Sequence, residues 1–233
     1  MMRLRVIFPS ARAVYPDKEV ELRTATLRQY CGPRTQLEFG YPSTATTFKQ
    51  DLTWADFDQA IPHYVAAAKA AEADLCDAVM VHCVYDPGYA EIRRSVRIPV
   101  VGFGQSVFHV AVQIAPRFGM IAPNDSLTRQ AYDVLDQYGF RDRLAYMEPL
   151  NIQLPDAHAS GDELRRRAVA IARRAKERGA GVIIPFGMAL IPTHLRTEDI
   201  RDAVGIPVLN PAQIGIREAQ IIMAAVGQAV GTA

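Results

Sequence analysis

The segment Ile92-Arg93-Arg94-Ser95-Val96-Arg97-Ile98-Pro99-Val100 returns, altered, as Ile200-Arg201-Asp202-Ala203-Val204-Gly205-Ile206-Pro207-Val208. Earlier in each copy, Val6-Ile7-Phe8-Pro9-Ser10 returns as Met120-Ile121-Ala122-Pro123-Asn124. The spacing is about half the chain, too long for a solenoid and suited to two copies of one α/β lobe. Strand and helix signals alternate throughout, which predicts βαβ units and parallel sheets.

Strands are expected at 5–9, 36–41, 78–83, 99–103, 118–123, 144–150, 182–186 and 207–210. Helices are expected at 54–73, with Pro62 bending or interrupting it, and at 125–138, 161–179 and 213–226. The expected fold class is α/β: two similar lobes with parallel four-stranded sheets and the active site in the cleft between them. The first lobe is expected to take residues 1–106 plus about 212–233, and the second about 107–211.

The chain has 233 residues, 49% hydrophobic and 22% charged, so each lobe can bury its own core. With 26 basic and 25 acidic residues the net charge is +1, which gives no electrostatic reason to expect nucleic acid or an anionic membrane as partner. The first apolar stretch, Val6-Ile7-Phe8, is too short for a signal peptide, and no run of ~18 apolar residues offers a membrane span. Three cysteines without a Cys-x-x-Cys fit a reduced, cytoplasmic setting and show no metal site.

Chemistry is concentrated at one strand end. Val79-Met80-Val81-His82-Cys83-Val84-Tyr85-Asp86-Pro87-Gly88 reads as a buried parallel strand that runs into a turn. Ligands of open α/β sheets bind off the carboxyl ends of strands, so Cys83 is placed to meet a small molecule. Nearby backbone N–H groups can stabilise its thiolate. Val84 and Tyr85 follow it as lining residues. His82 points to the opposite face of the strand and packs behind the sheet. Cys76 enters the strand from its far end and reads as core, and Cys31 sits in a turn. Ser10 and Asn124 follow matched strands, where short polar side chains bind a carboxylate or cap a helix. Ser43 and Thr44, after Tyr41-Pro42, are placed to close the cleft. Asp86 is suited to orient its loop. His109 is a weaker site candidate, and His63 and His158 read as surface residues.

Several motifs resemble the aspartate/glutamate/hydantoin racemase superfamily, and above all its hydantoin racemase branch. They are Cys83-Val84-Tyr85-Asp86-Pro87-Gly88, then Ile98-Pro99-Val100-Val101-Gly102-Phe103-Gly104-Gln105-Ser106 up to His109, then Arg117-Phe118-Gly119-Met120-Ile121, then Ala180 to Met188 with Gly205-Ile206-Pro207-Val208. The resemblance spans nearly the whole chain. It implies Rossmann-like lobes related by pseudo-twofold symmetry, a homo-oligomer, a small-molecule substrate and no cofactor. It also implies chemistry at the carbon next to a carboxylate or amide carbonyl. Typical members place one cysteine of each lobe on opposite faces of that carbon, one removing and one donating a proton.

This chain departs from the pattern: no cysteine follows Cys83. Aligning Val79 with Val182 sets Cys83 opposite Phe186, in Ile183-Ile184-Pro185-Phe186-Gly187-Met188. Pro185, Phe186 and Gly187 are therefore expected to line the site, and His194 is the candidate replacement acid. The leading expectation is a cofactor-independent racemase or isomerase using Cys83. The alternatives are a single-cysteine decarboxylase, cis–trans isomerase or hydrolase, and a non-catalytic small-molecule binding protein.

Overall fold

The computed structural model describes residues 1–43, 54–152 and 161–230. Thr44 and His158 lie outside the described residues. The chain divides into two compact units. Among the described residues the first holds 1–43, 54–103 and 212–230, and the second holds 104–152 and 161–211.

The first unit contains β1 (Met2–Ile7), α1 (Asp17–Arg28), β2 (Thr35–Gly40), α2 (Trp54–Ala73), β3 (Ala78–Val81), α3 (Tyr89–Ser95) and the start of α4 (Phe103–Ile114). Its sheet is parallel with strand order β2-β1-β3. Every residue of β3 is buried, as expected for a strand covered on both faces. Ile7, Ala60, Tyr64, Ala68, Ala71, Val79 and Val81 form the core on the α2 side. The helix runs unbroken through Pro62, correcting the expected interruption. Pro62 is exposed, while Phe57, Ala60, Tyr64, Ala68 and Ala71 share the buried face. The packing of that face outweighs one missing backbone hydrogen bond.

The second unit contains β4 (Phe118–Ala122), α5 (Asp125–Tyr138), β5 (Leu144–Pro149), α6 (Gly161–Glu177), β6 (Val182–Pro185) and α7 (Thr197–Val204). Its strand order, β5-β4-β6, repeats that of the first unit, again all parallel. Asn124 caps α5 by accepting the Leu127 N–H at 2.8 Å, and Gly139 ends the helix at φ 74°. The final helix, α8 (Pro211–Val230), belongs to the first unit. Gln220 on α8 donates to the Thr35 hydroxyl at 3.0 Å.

Among the described residues each sheet has three strands rather than the expected four. The fourth is reduced to one parallel bridge, Val79 to Val100 in the first unit and Ile183 to Val208 in the second. Val79 N–H donates to Pro99 O at 3.0 Å and Val101 N–H to Val79 O at 3.0 Å; Ile183 N–H donates to Pro207 O and Leu209 N–H to Ile183 O, both at 2.9 Å. The prolines of the repeated Ile-Pro-Val segments have no N–H to extend the ladder backward. Ahead, α4 begins at Phe103 and α8 at Pro211. The expected strand at 99–103 thus ends in a helix.

Candidate active site

In the first sheet β1 has β2 on one side and β3 on the other, so successive connections diverge between β1 and β3. That divergence makes a crevice at the carboxyl ends of the two strands. Phe8-Pro9-Ser10 leaves β1 there, and His82-Cys83 leaves β3.

Cys83 is half-buried and packs at the margin of the α2-side core. Burial pushes its thiol up to about 12. The Tyr85 N–H, which hydrogen-bonds to the sulfur, pulls the other way, Asp86 adds to the rise, and Arg23 opposes it. Desolvation wins, so the strand-end N–H does not turn Cys83 into a resting thiolate. The sulfur rests as an S–H, with the Tyr85 N–H directed at it.

The loop after Cys83 is tightly wound. Asp86 N–H donates to Cys83 O at 3.2 Å, Asp86 has φ 47° and Gly88 has φ 70°. Aspartate is among the few side chains that tolerate this left-handed region. A Cβ at Gly102 would lie 2.5 Å from Asp86 Oδ2, so the carboxylate rests on backbone just before α4. Asp86 therefore ties the thiol loop to the start of that helix.

The β1 exit turn is gripped from two sides. Tyr64 of α2 donates its hydroxyl to Pro9 O at 2.8 Å. Ser10 N–H donates to the Tyr15 hydroxyl oxygen at 3.1 Å, and the Ser10 hydroxyl hydrogen-bonds to the same phenol. Burial raises the pKa of both tyrosines, so both remain phenols. His82 faces the other side of the sheet, as expected. Its ring lies 5.1 Å from Phe8 and 5.9 Å from Phe103. Burial, helped by Arg23, pushes its pKa down to about 3.

The other expected site residues separate into groups. Ser10 is buried, with its side chain on Tyr15. Val84 and Tyr85 are buried, with Tyr85 stacked 6.2 Å from Phe57. Ser43 is exposed, with its hydroxyl 3.5 Å from His63 Nδ1.

In the second unit Asn124 is an N-cap, Pro185 is buried in β6, and Gly187 is partly exposed. Phe186 is 0% exposed and its ring stacks 5.3 Å from that of Phe108. His194 N–H donates to Leu190 O at 2.8 Å, at the far end of the β6 exit loop. Tyr15, Tyr64 and Arg23 escaped the sequence reading. A hydroxyl-bearing Tyr64 on the otherwise apolar buried face of α2 is the one signal that could have found any of them.

Register also corrects the alignment of the two halves. Ile7 accepts the His82 N–H and Ile121 accepts the Phe186 N–H, each at 2.8 Å. Ile7 and Ile121 pair with Val81 and Pro185 in their sheets. His82 therefore corresponds to Phe186, and Cys83 to Gly187. A Cβ at Gly187 would sit 2.7 Å from Pro123 Cγ, so any side chain at this position has to displace Pro123.

Known proteins are similar to this chain in sequence and in fold. A hydantoin racemase of Paenarthrobacter aurescens is 26% identical over 175 residues, covering 72% of each chain. Allantoin racemase from Klebsiella pneumoniae superposes with a TM-score of 0.82 at 19% identity, covering 97% of this chain and 89% of that one. A glycine-to-cysteine, cysteine-to-serine double variant of arylmalonate decarboxylase superposes at 0.69 and 14% identity, covering 96% and 93%. The family model for Asp/Glu/hydantoin racemase matches residues 21–219. With that match over most of its length and the duplicated sheet, the chain belongs to the Asp/Glu/hydantoin racemase family.

Proposed function

We propose that this protein is a cofactor-independent proton-transfer enzyme acting at the carbon next to the carbonyl of a small cyclic amide or carboxylate of the hydantoin class. Cys83 is its proton donor. The observation that carries the reading is a desolvated thiol at the β1/β3 crevice, pushed up to about 12, with the Tyr85 N–H on its sulfur. A thiol that retains its proton at neutral pH is suited to quench a carbanion or enolate. The S–H bond breaks, a C–H bond forms, and the thiolate left behind is held by the Tyr85 N–H until water returns the proton. The hydantoin and allantoin racemases it resembles support the substrate class.

Racemisation is the family default. A second reading, one-faced protonation after loss of carbon dioxide, is favoured by Gly187 standing where Cys83 stands in the other half, and by the absence of any later cysteine in the sequence. Both readings predict solvent deuterium at the α-carbon. Single enantiomers of hydantoins and allantoin, and aryl malonates, are incubated in deuterated water. Label at the α-carbon, lost in Cys83→Ser, is the expected result. Product without label overturns the proposal. Interconversion of both enantiomers selects racemisation, and a single labelled enantiomer from a malonate selects decarboxylation.

A further inference from the structure

Two charged side chains of α1 are buried where no simple surface role explains them. Glu19 is 3% exposed and Arg23 is 2% exposed, and they form an ion pair one helical turn apart, with Arg23 Nε 2.5 Å from Glu19 Oε1. Burying two charges is costly even when they are paired, so such a pair is weak evidence for stability. Its position is informative. The Arg23 guanidinium lies over the Tyr15 ring, 5.4 Å from its centre, within the range of a cation–π contact. Tyr15 packs edge-on against Phe8 at 5.5 Å, and its oxygen accepts the Ser10 N–H. Phe8 and Ser10 flank Pro9, whose carbonyl is held by Tyr64. A continuous set of contacts runs from α1 to the turn at the crevice.

We propose that Arg23 is a positioning residue: held by Glu19, its guanidinium clamps the Tyr15 ring, and Tyr15 in turn fixes the Pro9-Ser10 turn beside Cys83. A planar cation suits this task better than lysine, because it covers the ring face while keeping a fixed fork toward the carboxylate. In the second unit the matching turn, Pro123-Asn124, is secured by Asn124 capping α5, so the clamp serves the thiol-bearing half. Its significance for turnover rests on the chemistry proposed for Cys83; its effect on the turn does not.

The test is a mutant cycle on the intact protein. Glu19→Met combined with Arg23→Met removes the pair without leaving one charge buried alone. Tyr15→Phe removes the phenol oxygen and with it both contacts to Ser10, of which the one to the N–H governs amide exchange. Hydrogen–deuterium exchange is followed in a peptide covering 8–15 and in one covering β3, and kcat/KM is measured on any substrate turned over. We expect exchange at 8–15 to quicken about fivefold in each variant, the factor for one lost buried hydrogen bond, with β3 unchanged. Loss of kcat/KM should be similar in each, and the combined triple variant should be no worse than either, as for residues acting in series. Unchanged exchange at 8–15 in the pair variant overturns the proposal. So does equal acceleration in β3, which marks general loosening, or losses that multiply. If no substrate is turned over, the proposed function fails while the exchange data still decide whether the clamp exists.

Discussion

His82 and Phe186 occupy the same place in their two sheets: each donates its N–H, at 2.8 Å, to the carbonyl of an isoleucine in the neighbouring strand, Ile7 in one and Ile121 in the other. One position thus holds an imidazole in the thiol-bearing half and a phenyl ring in the other. The phenyl ring is ordinary core. The imidazole is buried with its Nδ1 lacking a hydrogen-bond partner among the described residues.

That burial has an acid cost. The folded pKa of His82 is depressed to about 3 from 6.5, so the unfolded chain binds its proton first. Stability is full above pH 6.5 and falls as the pH drops toward 3, by on the order of 1.4 kcal/mol per pH unit. His82→Phe, which copies Phe186, should flatten that part of the curve. Urea melts from pH 7 to pH 3.5 measure it, and parallel curves for the two proteins would refute it.

Cys83→Ala should lower turnover by roughly 10²- to 10⁴-fold, the range for a lost acid–base group. Cys76→Ala should leave turnover near that of the parent. The Cys76 thiol lies at the other end of β3, 3.8 Å from Glu38. Steady-state kinetics on both variants separate the two thiols.

Cys83 should alkylate slowly at neutral pH and faster as the pH rises toward 12, since only the thiolate attacks. Site-resolved mass spectrometry after iodoacetamide treatment follows it apart from Cys31. A plateau below pH 8 would show a resting thiolate. The same raised pKa predicts that the thiol's contribution to stability is intact below the unfolded value near 8.5 and is lost as pH climbs through the folded one.

Gly187→Cys should destabilise the protein by about 1–3 kcal/mol, the usual cost of overpacking. The new Cβ meets Pro123 Cγ at 2.7 Å. Pairing it with Pro123→Ala should recover much of the loss. Thermal melts of the single and double variants read this out, and an unchanged melt for Gly187→Cys alone would show that Pro123 yields freely.

Much of this was legible from residue order. The two-half α/β plan follows from the repeated Ile-Pro-Val and strand-Pro-polar segments, and helices α2 and α5 have the bounds that their patterns predict. Helix α1 was not, because the residues it buries are Glu19, Arg23, Thr24 and Leu27, and buried charges on a helix read as a solvated face. The candidate site is marked in the sequence by an apolar strand that ends in a thiol. In the other half the pattern misplaces the matching position by one residue, since both Ile184-Pro185-Phe186 and Pro185-Phe186-Gly187 satisfy the same hydrophobic pattern. Only the backbone register separates Phe186 from Gly187.

The single bridges at Val100 and Val208 bear on how readily a strand of another chain could add to either sheet. A parallel sheet with a long bare margin is a template for another chain's strand. On this side each sheet finishes in one bridged residue, preceded by a proline and followed within a few residues by a helix. A foreign strand finds only one residue's outward N–H and C=O to grip. The segment whose duplication betrays the architecture thus blunts the same margin in both halves.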